Sequence, residues 1–135
     1  MADTLNFELV SPEKLLLSGD AVEVTVPGSE GEFGVMPMHA PFISTLRPGI
    51  LKVKMGDGAE HDIFVRGGFA EAGPEALTVL AEEAVPVADM DTSKLQQLIQ
   101  DAEEDVRDAT EGETRSKAEM HLAHLKDVEA VLARR

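Results

Sequence analysis

The chain has 135 residues, no cysteine and a formal net charge of −14 at pH 7. This length suits one domain, or one small domain with an appendage, and the missing cysteine excludes disulfides and thiolate metal sites. The acidity argues against direct binding to nucleic acid or to an anionic lipid surface, because both require a basic footprint.

The amino-terminal segment contains neither a basic stretch nor a long apolar run. We therefore expect no signal peptide and no membrane span. The protein is expected to be soluble and intracellular, and any association with a membrane would come through a partner.

Short apolar runs that alternate with polar residues follow along the first two thirds of the chain. Alternation at period two is typical of strands that bury one face, and it predicts strands over 5–9, 22–26, 51–55, 63–65 and 77–81. The turn Gly56-Asp57-Gly58 predicts a hairpin between the third and the fourth of them. Because no helices separate these strands, they predict an antiparallel β-sandwich or flattened barrel.

Residues 28–49 form the most distinctive stretch of the chain, and their glycines and prolines predict a long loop of specified conformation. Such loops on a rigid scaffold often carry recognition. Glu30 and Glu32 are expected to be exposed there, beside an adaptable apolar surface that comprises Met36, Pro37, Met38 and Phe42.

The composition changes once, near residues 85–91, after which proline disappears and Ala, Leu, Glu and Lys dominate. Apolar residues at helical spacing predict two amphipathic helices, with Asp91 as the N-cap of the first. A short polar turn joins them, so we expect an antiparallel hairpin. The chain is thus predicted to contain a β-domain over 1–86 and a helical hairpin over 87–135.

No motif for a nucleophile or a phosphate-binding loop is present. Gly67-Gly68 is not followed by a helix, so a bulge or tight turn is the expected structure there. His39 has no visible acid partner or nucleophile. A small metal-dependent enzyme that uses His39, His61 or the pair His121 and His124 remains an alternative, although a third convergent ligand is missing and we expect no metal site.

Three segments of the stretch after residue 27 carry a family resemblance. They read Gly28-Ser-Glu-Gly-Glu-Phe-Gly34, His39-Ala-Pro41 and Arg47-Pro-Gly49. Supporting segments follow the same order along the whole chain: Leu9-Val-Ser-Pro-Glu13, Ser18-Gly19, Arg66-Gly-Gly-Phe69 and Thr78-Val-Leu-Ala81. Together they resemble the epsilon subunit of bacterial F-type ATP synthases. The resemblance implies a β-sandwich followed by two helices, and a non-catalytic subunit of the central stalk.

The resemblance also implies partners for the β-domain. In this family the domain holds the gamma subunit and rests on the loops of the membrane c-ring, so that ion-driven rotation reaches the catalytic head. By position, Glu30 and Glu32 would face the c-ring, and Met38, His39 and Ala40 would lie near gamma. The implied location is peripheral, on the cytoplasmic face of the bacterial inner membrane.

For the helices, the resemblance implies a hairpin that can extend along gamma into the alpha/beta catalytic head and inhibit ATP hydrolysis. Arg115, Lys117 and Lys126 would make these inhibitory contacts. Asp91 and Lys94 occupy the place of a nucleotide motif found in some relatives. Lys94 lacks the guanidinium fork of the arginine expected there, so at most a weak ATP site is expected and no other cofactor.

A second departure from the family pattern, besides Lys94, limits the resemblance. The family usually has glycine immediately before His-Ala-Pro, where this chain has Met38, so a turn that needs positive φ would be strained and the local loop is expected to differ. From the residues alone, a freestanding interaction module built of a sandwich and a helical hairpin remains the alternative function.

Overall fold

Seven β-strands form between Leu5 and Pro86 in the computed structural model, which describes residues 3–110 and 112–133. Their apolar residues alternate with polar ones, as a sheet with one buried face requires. The strands are β1 (Leu5–Val10), β2 (Leu15–Gly28), β3 (Gly31–Val35), β4 (Phe42–Thr45), β5 (Gly49–Met55), β6 (Glu60–Ala72) and β7 (Ala76–Pro86).

The sheet closes on itself through β1. This strand pairs antiparallel with β2 on one side and parallel with β7 on the other. The ring then runs from β7 through β6 and β5 back to β2, whereas β3 pairs with the end of β2 and β4 with the end of β6. Two short strands therefore lie outside the ring.

The interior of this ring is filled by side chains that alternate along each strand. In β1, Leu5, Phe7 and Leu9 are at most 1% exposed. Val24 and Val26 of β2 are buried with them in one apolar cluster. Burial of a side chain of this size contributes about 1.5–3 kcal/mol relative to exposure, so this cluster supplies the main stabilisation of the β-unit.

The fold class predicted from the sequence is confirmed, and the hairpin predicted at residues 56–58 joins β5 to β6. The alternation did not predict that the pairing of β1 with β7 is parallel. That pairing joins residues about seventy positions apart in the chain, and local patterns carry no information about it.

The prediction that residues 28–49 form one long loop is wrong. They contain β3 and β4, and only residues 36–41 connect these two strands irregularly. Glycines and prolines interrupt the alternation of apolar and polar residues by which strands are predicted from sequence. Pairing with β2 and β6 overrides the weak local preference.

The expected bulge or tight turn at Gly67-Gly68 is absent, because β6 continues through this step and its register with β7 does not shift between Arg66–Glu83 and Gly68–Ala81. Both glycines have positive φ, at 71° and 99°. A Cβ on Gly68 would lie 1.8 Å from the carbonyl oxygen of Leu80. Glycine is therefore required at position 68 because two backbones approach closely.

The second unit, Val87–Arg135, contains helix α1 (Thr92–Asp108) and helix α2 (Gly112–Ala133). The predicted N-cap is confirmed, since the Asp91 carboxylate accepts a hydrogen bond from the Ser93 amide at 2.8 Å. Gln96 near the start of α1 donates to Glu129 near the end of α2, so the helices are antiparallel. The apolar stripes of both helices are buried at Leu95, Ile99, Ala102, Leu125 and Val128.

The substitution Gly68→Ala is expected to lower the free energy of unfolding by about 3 kcal/mol or more, because the new Cβ forces β6 away from β7. Denaturant unfolding of the purified chain measures this change. The matched control is Gly34→Ala on β3, where a Cβ meets no atom within 4 Å and φ is not positive. Equal stability of the two variants would contradict the close approach.

Candidate interaction surface

Glu30 and Glu32 lie on the hairpin that joins β2 to β3. Gly28 pairs with Gly31 across the hairpin, so Ser29 and Glu30 form its two-residue turn. The turn is held to β4 because the Ser29 amide donates to the Thr45 carbonyl at 2.9 Å and the Thr45 hydroxyl donates to the Ser29 hydroxyl at 2.7 Å. Both carboxylates are exposed, as expected, on a fixed turn.

The outer face of the β4–β6 pair is apolar and exposed. Ile43 lies opposite Glu71 and Thr45 opposite Phe69, so these four side chains share one face of the ladder. Ile43 is 67% exposed and Phe69 is 40% exposed. Two large apolar side chains that are diagonal neighbours across a strand pair thus face away from the core.

The opposite side of β4 begins with Phe42, whose ring packs against Phe33 of β3 in an edge-to-face arrangement with centroids 5.2 Å apart. This geometry is the favoured one for an aromatic pair. Phe42 still has 46% of its surface exposed. The contact therefore links the two strands that lie outside the ring and leaves part of one ring available to a partner.

The connection between β3 and β4 retains a turn with positive φ although the residue is not glycine. Met38 has φ of 71°, and its amide donates to the Pro74 carbonyl at 2.8 Å. The left-handed conformation costs a residue with a Cβ about 1 kcal/mol. A turn with positive φ is therefore present at Met38, together with the strain that the sequence predicts for it.

His39 follows this turn, and its Nδ1 atom lies 2.6 Å from the carbonyl oxygen of Ala40. A carbonyl only accepts, so Nδ1 must carry the proton and donate. The contact orients the ring within the loop. It gives His39 a structural partner and adds no catalytic neighbour.

We define the apolar surface by five side chains that the β3–β4 connection and the β4–β6 pair bring to the exterior. They are Met36 (55% exposed), Met38 (71%), Phe42 (46%), Ile43 (67%) and Phe69 (40%). Ile43 and Phe69 share one face of the β4–β6 pair and Phe42 lies on the other, so this set spans both faces of β4. Large exposed apolar residues mark protein–protein contacts where they lie together. The sequence predicts Met36, Pro37, Met38 and Phe42 at such a surface, and Pro37 is half-buried. It does not predict Ile43 and Phe69, because their shared face depends on the register of β4 and β6.

The segments that build this surface are acidic. Residues 28–46 and 67–75 contain no lysine or arginine, and their four carboxylates are Glu30, Glu32, Glu71 and Glu75. A complementary partner would therefore present apolar groups at the centre of its contact and basic side chains around them.

The basic residues proposed for inhibition lie on α2 and are exposed. Arg115 donates to Glu119 at 2.9 Å and Lys117 lies 3.4 Å from Glu113, each one helical turn away. Lys126 lies nine residues after Lys117, about two and a half turns further along the same helix. Exposed pairs of this kind contribute only about 0.3–0.5 kcal/mol, so a partner's carboxylate can replace them at little cost.

Asp91 and Lys94, the expected weak nucleotide site, lie at the start of α1. The Asp91 carboxylate is engaged as the N-cap. An open groove between the start of α1 and the end of α2 is lined by Thr92, Leu95, Gln96, Glu129, Ala130, Leu132 and Ala133. Among the residues that the structure describes, the one ionisable side chain that lines it is Glu129, whose carboxylate would repel a phosphate.

Among residues 3–110 and 112–133, no group of three or more His, Asp or Glu side chains is arranged to hold a metal ion. In the same ranges no helix is long and apolar enough to cross a membrane.

A family model for the β-sandwich domain of ATP synthase delta/epsilon chains matches residues 4–87. The ATP synthase epsilon chain of Parvibaculum lavamentivorans is 52% identical over 128 residues, which cover 95% of this chain and 97% of that protein. The ATP synthase epsilon chain of Maricaulis maris is 50% identical over 133 residues, which cover 98% of this chain and 99% of that protein.

Solved structures agree with these relatives. A chain in the mitochondrial ATP synthase of Euglena gracilis, a structure of OSCP, F1 and c-ring, superposes with a TM-score of 0.78 at 25% identity. The match covers 98% of this chain and 83% of that one. A chain in the central stalk and c-ring of the Tetrahymena thermophila enzyme shares the fold, with a TM-score of 0.54 at 16% identity over 63% of this chain and 68% of that one.

The substitution Asp91→Ala is expected to destabilise α1 by about 1 kcal/mol, because the Ser93 amide loses its acceptor. Asp91→Ser should retain most of the stability, since serine also caps. Hydrogen exchange of the α1 amides measures the difference. Identical exchange in Asp91→Ala and the unmodified chain would contradict the cap's contribution.

Proposed function

Since the chain belongs to the epsilon chains of ATP synthase, we propose that its β-unit docks gamma and the c-ring and that its helical unit regulates ATP hydrolysis. Within that enzyme it is a stalk subunit and not a catalytic one. The alternative of a freestanding interaction module is unnecessary, because the relatives match over nearly the whole chain.

The observation that carries the proposed docking of gamma is the apolar surface. Met36, Met38 and Ile43 have more than half of their surface exposed, so a partner that covers them gains most of the free energy of their burial, whereas Phe42 and Phe69 offer a smaller part of theirs. Met38, His39 and Ala40 lie in the connection between β3 and β4, which contributes Met36 and Met38 to this surface. We assign this surface to gamma.

The proposed contact with the c-ring uses the hairpin of Glu30 and Glu32. The turn is held in place by Ser29 and Thr45, so its carboxylates are presented in a fixed position. A rotating junction needs such rigidity because torque would otherwise deform the loop. Basic side chains on the c-ring loops would complete the contact.

The helical unit fits a regulatory element because its surface ion pairs are weak and exchangeable. Arg115 and Lys117 can exchange Glu119 and Glu113 for carboxylates of the alpha/beta head, and Lys126 adds a third cation. A switch between two such states requires a difference of only a few kcal/mol.

ATP is expected to bind the helical unit weakly at most. The Asp91 carboxylate is already engaged, and Glu129 opposes phosphate in the neighbouring groove. Assembly with the c-ring would hold the chain at the cytoplasmic face of the bacterial inner membrane, as a peripheral component.

The substitution Glu32→Lys is expected to lower ATP-driven proton pumping at least about twofold, because it places like charges against a basic ring. Inverted membrane vesicles that carry the reassembled enzyme measure pumping by quenching of a pH-sensitive dye. Glu60→Lys makes the same charge change at the far end of β6 and should pump normally. Equal pumping by both variants would contradict the c-ring contact.

Truncation after Val87 is expected to leave binding to gamma intact and to raise the ATPase activity of the complex several-fold, because the inhibitory helices are removed. The retained unit carries its own core. Gel filtration with gamma and a coupled ATPase assay measure the two effects. If the truncated chain no longer co-migrates with gamma, the helices are needed for assembly; if it co-migrates but hydrolysis is unchanged, they do not inhibit.

A further inference from the structure

Thr45 is the last residue of β4, and it is bonded to the β2–β3 turn twice. Its hydroxyl donates to the Ser29 hydroxyl at 2.7 Å, and its carbonyl accepts from the Ser29 amide at 2.9 Å. The hydroxyl of the buried Ser44 donates to the same carbonyl at 2.9 Å. The end of β4 and the first residue of the turn are thus held together by backbone and side chains.

The hydroxyl pair of Ser29 and Thr45 is the part of this junction that joins turn to strand through side chains. The Ser29 and Arg47 amides, the second of which donates to the Pro27 carbonyl at 3.0 Å, would form their bonds with any residue except proline at these positions. An exposed hydroxyl can bond to water instead, so the pair adds little to the stability of the fold. Its effect is on the orientation of the turn.

The hydroxyl pair lies between the two surfaces for which partners are proposed above. Glu30 follows Ser29 directly in the turn, and Ile43 precedes Thr45 by two residues on the same face of β4. At the usual rise of a strand, Phe42 lies about 10 Å from Thr45. Because β4 lies outside the ring, it joins the turn to the apolar surface by a short route that does not pass through the core.

We propose that Thr45 is a positioning residue, which makes β4 a rigid link between the contact with the c-ring and the contact with gamma. This inference rests on both of those proposed contacts. When the c-ring loops push on Glu30 and Glu32, the turn can yield by swinging away from β4. The hydroxyl pair opposes that motion. Without it the turn slips past the c-ring loops under load, so that ATP is hydrolysed with less proton pumping.

Four variants of the full-length chain separate this role from support of the fold. Thr45→Val removes the hydroxyl and keeps the branched shape that suits a strand, whereas Thr45→Ser keeps the hydroxyl. Ser29→Ala removes the other member of the pair. The matched control, Thr25→Val, makes the same exchange in the middle of β2, between β3 and β5.

Hydrogen exchange at the position 29 amide of the free chain reports on the turn, and inverted membrane vesicles report on protons pumped per ATP hydrolysed. Thr45→Val and Ser29→Ala should each lower the protection of this amide about fivefold, as loss of one hydrogen bond does. Each should lower pumping per ATP about twofold, and the double variant should lose no more than either alone. Thr45→Ser and Thr25→Val should match the unmodified chain, and all variants should co-migrate with gamma.

Unchanged protection of the position 29 amide in Thr45→Val would show that the hydroxyl pair does not hold the turn. An equal loss of pumping in Thr25→Val would show that the pair is not its cause. If Glu32→Lys lowers pumping per ATP and Thr45→Val does not, the contact with the c-ring stands and the role of Thr45 is wrong. If Glu32→Lys also pumps normally, that contact is wrong, and the inference is overturned with it.

Discussion

The pairing of β1 with both β2 and β7 is the constraint on which the β-unit depends. Because this one strand joins the two ends of the sheet, five strands close into a ring around a common core. β3 and β4 are left outside the ring. Four of the five side chains of the apolar surface lie on β4 or on the connection between β3 and β4, and the fifth, Phe69, lies where β6 pairs with β4. The strand left outside the ring therefore locates most of this surface.

The positions of most elements followed from the sequence because they depend on local patterns. Alternation located five strands, and Asp91 marked the start of α1. β3 and β4 were not predicted, because glycine and proline interrupt the alternation of apolar and polar residues there. The strand through Gly68 was not predicted for another reason. Its glycine conformation reflects the close approach of the β7 backbone, and that approach exists only in the folded chain.

The candidate site was predictable in part for similar reasons. Exposed carboxylates at Glu30 and Glu32 and an apolar loop around Met38 followed from residue type and turn composition. Ile43 and Phe69 could not be added without the register of β4 and β6, because only that pairing shows that the two side chains share one exposed face. The exchangeable ion pairs of α2 were available in the sequence as Glu113, Lys117, Arg115 and Glu119, four residues apart in each pair.

Oxidative footprinting of the assembled stalk tests the docking surface most directly, because methionine and phenylalanine side chains react readily when exposed. The rates of modification at Met36, Met38 and Phe42 are compared between the free chain and its complex with gamma and the c-ring, by mass spectrometry of the peptides. Strong protection of all three in the complex is the expected result. Equal rates in the free and assembled states would show that the apolar surface faces solvent in the enzyme and would contradict the account.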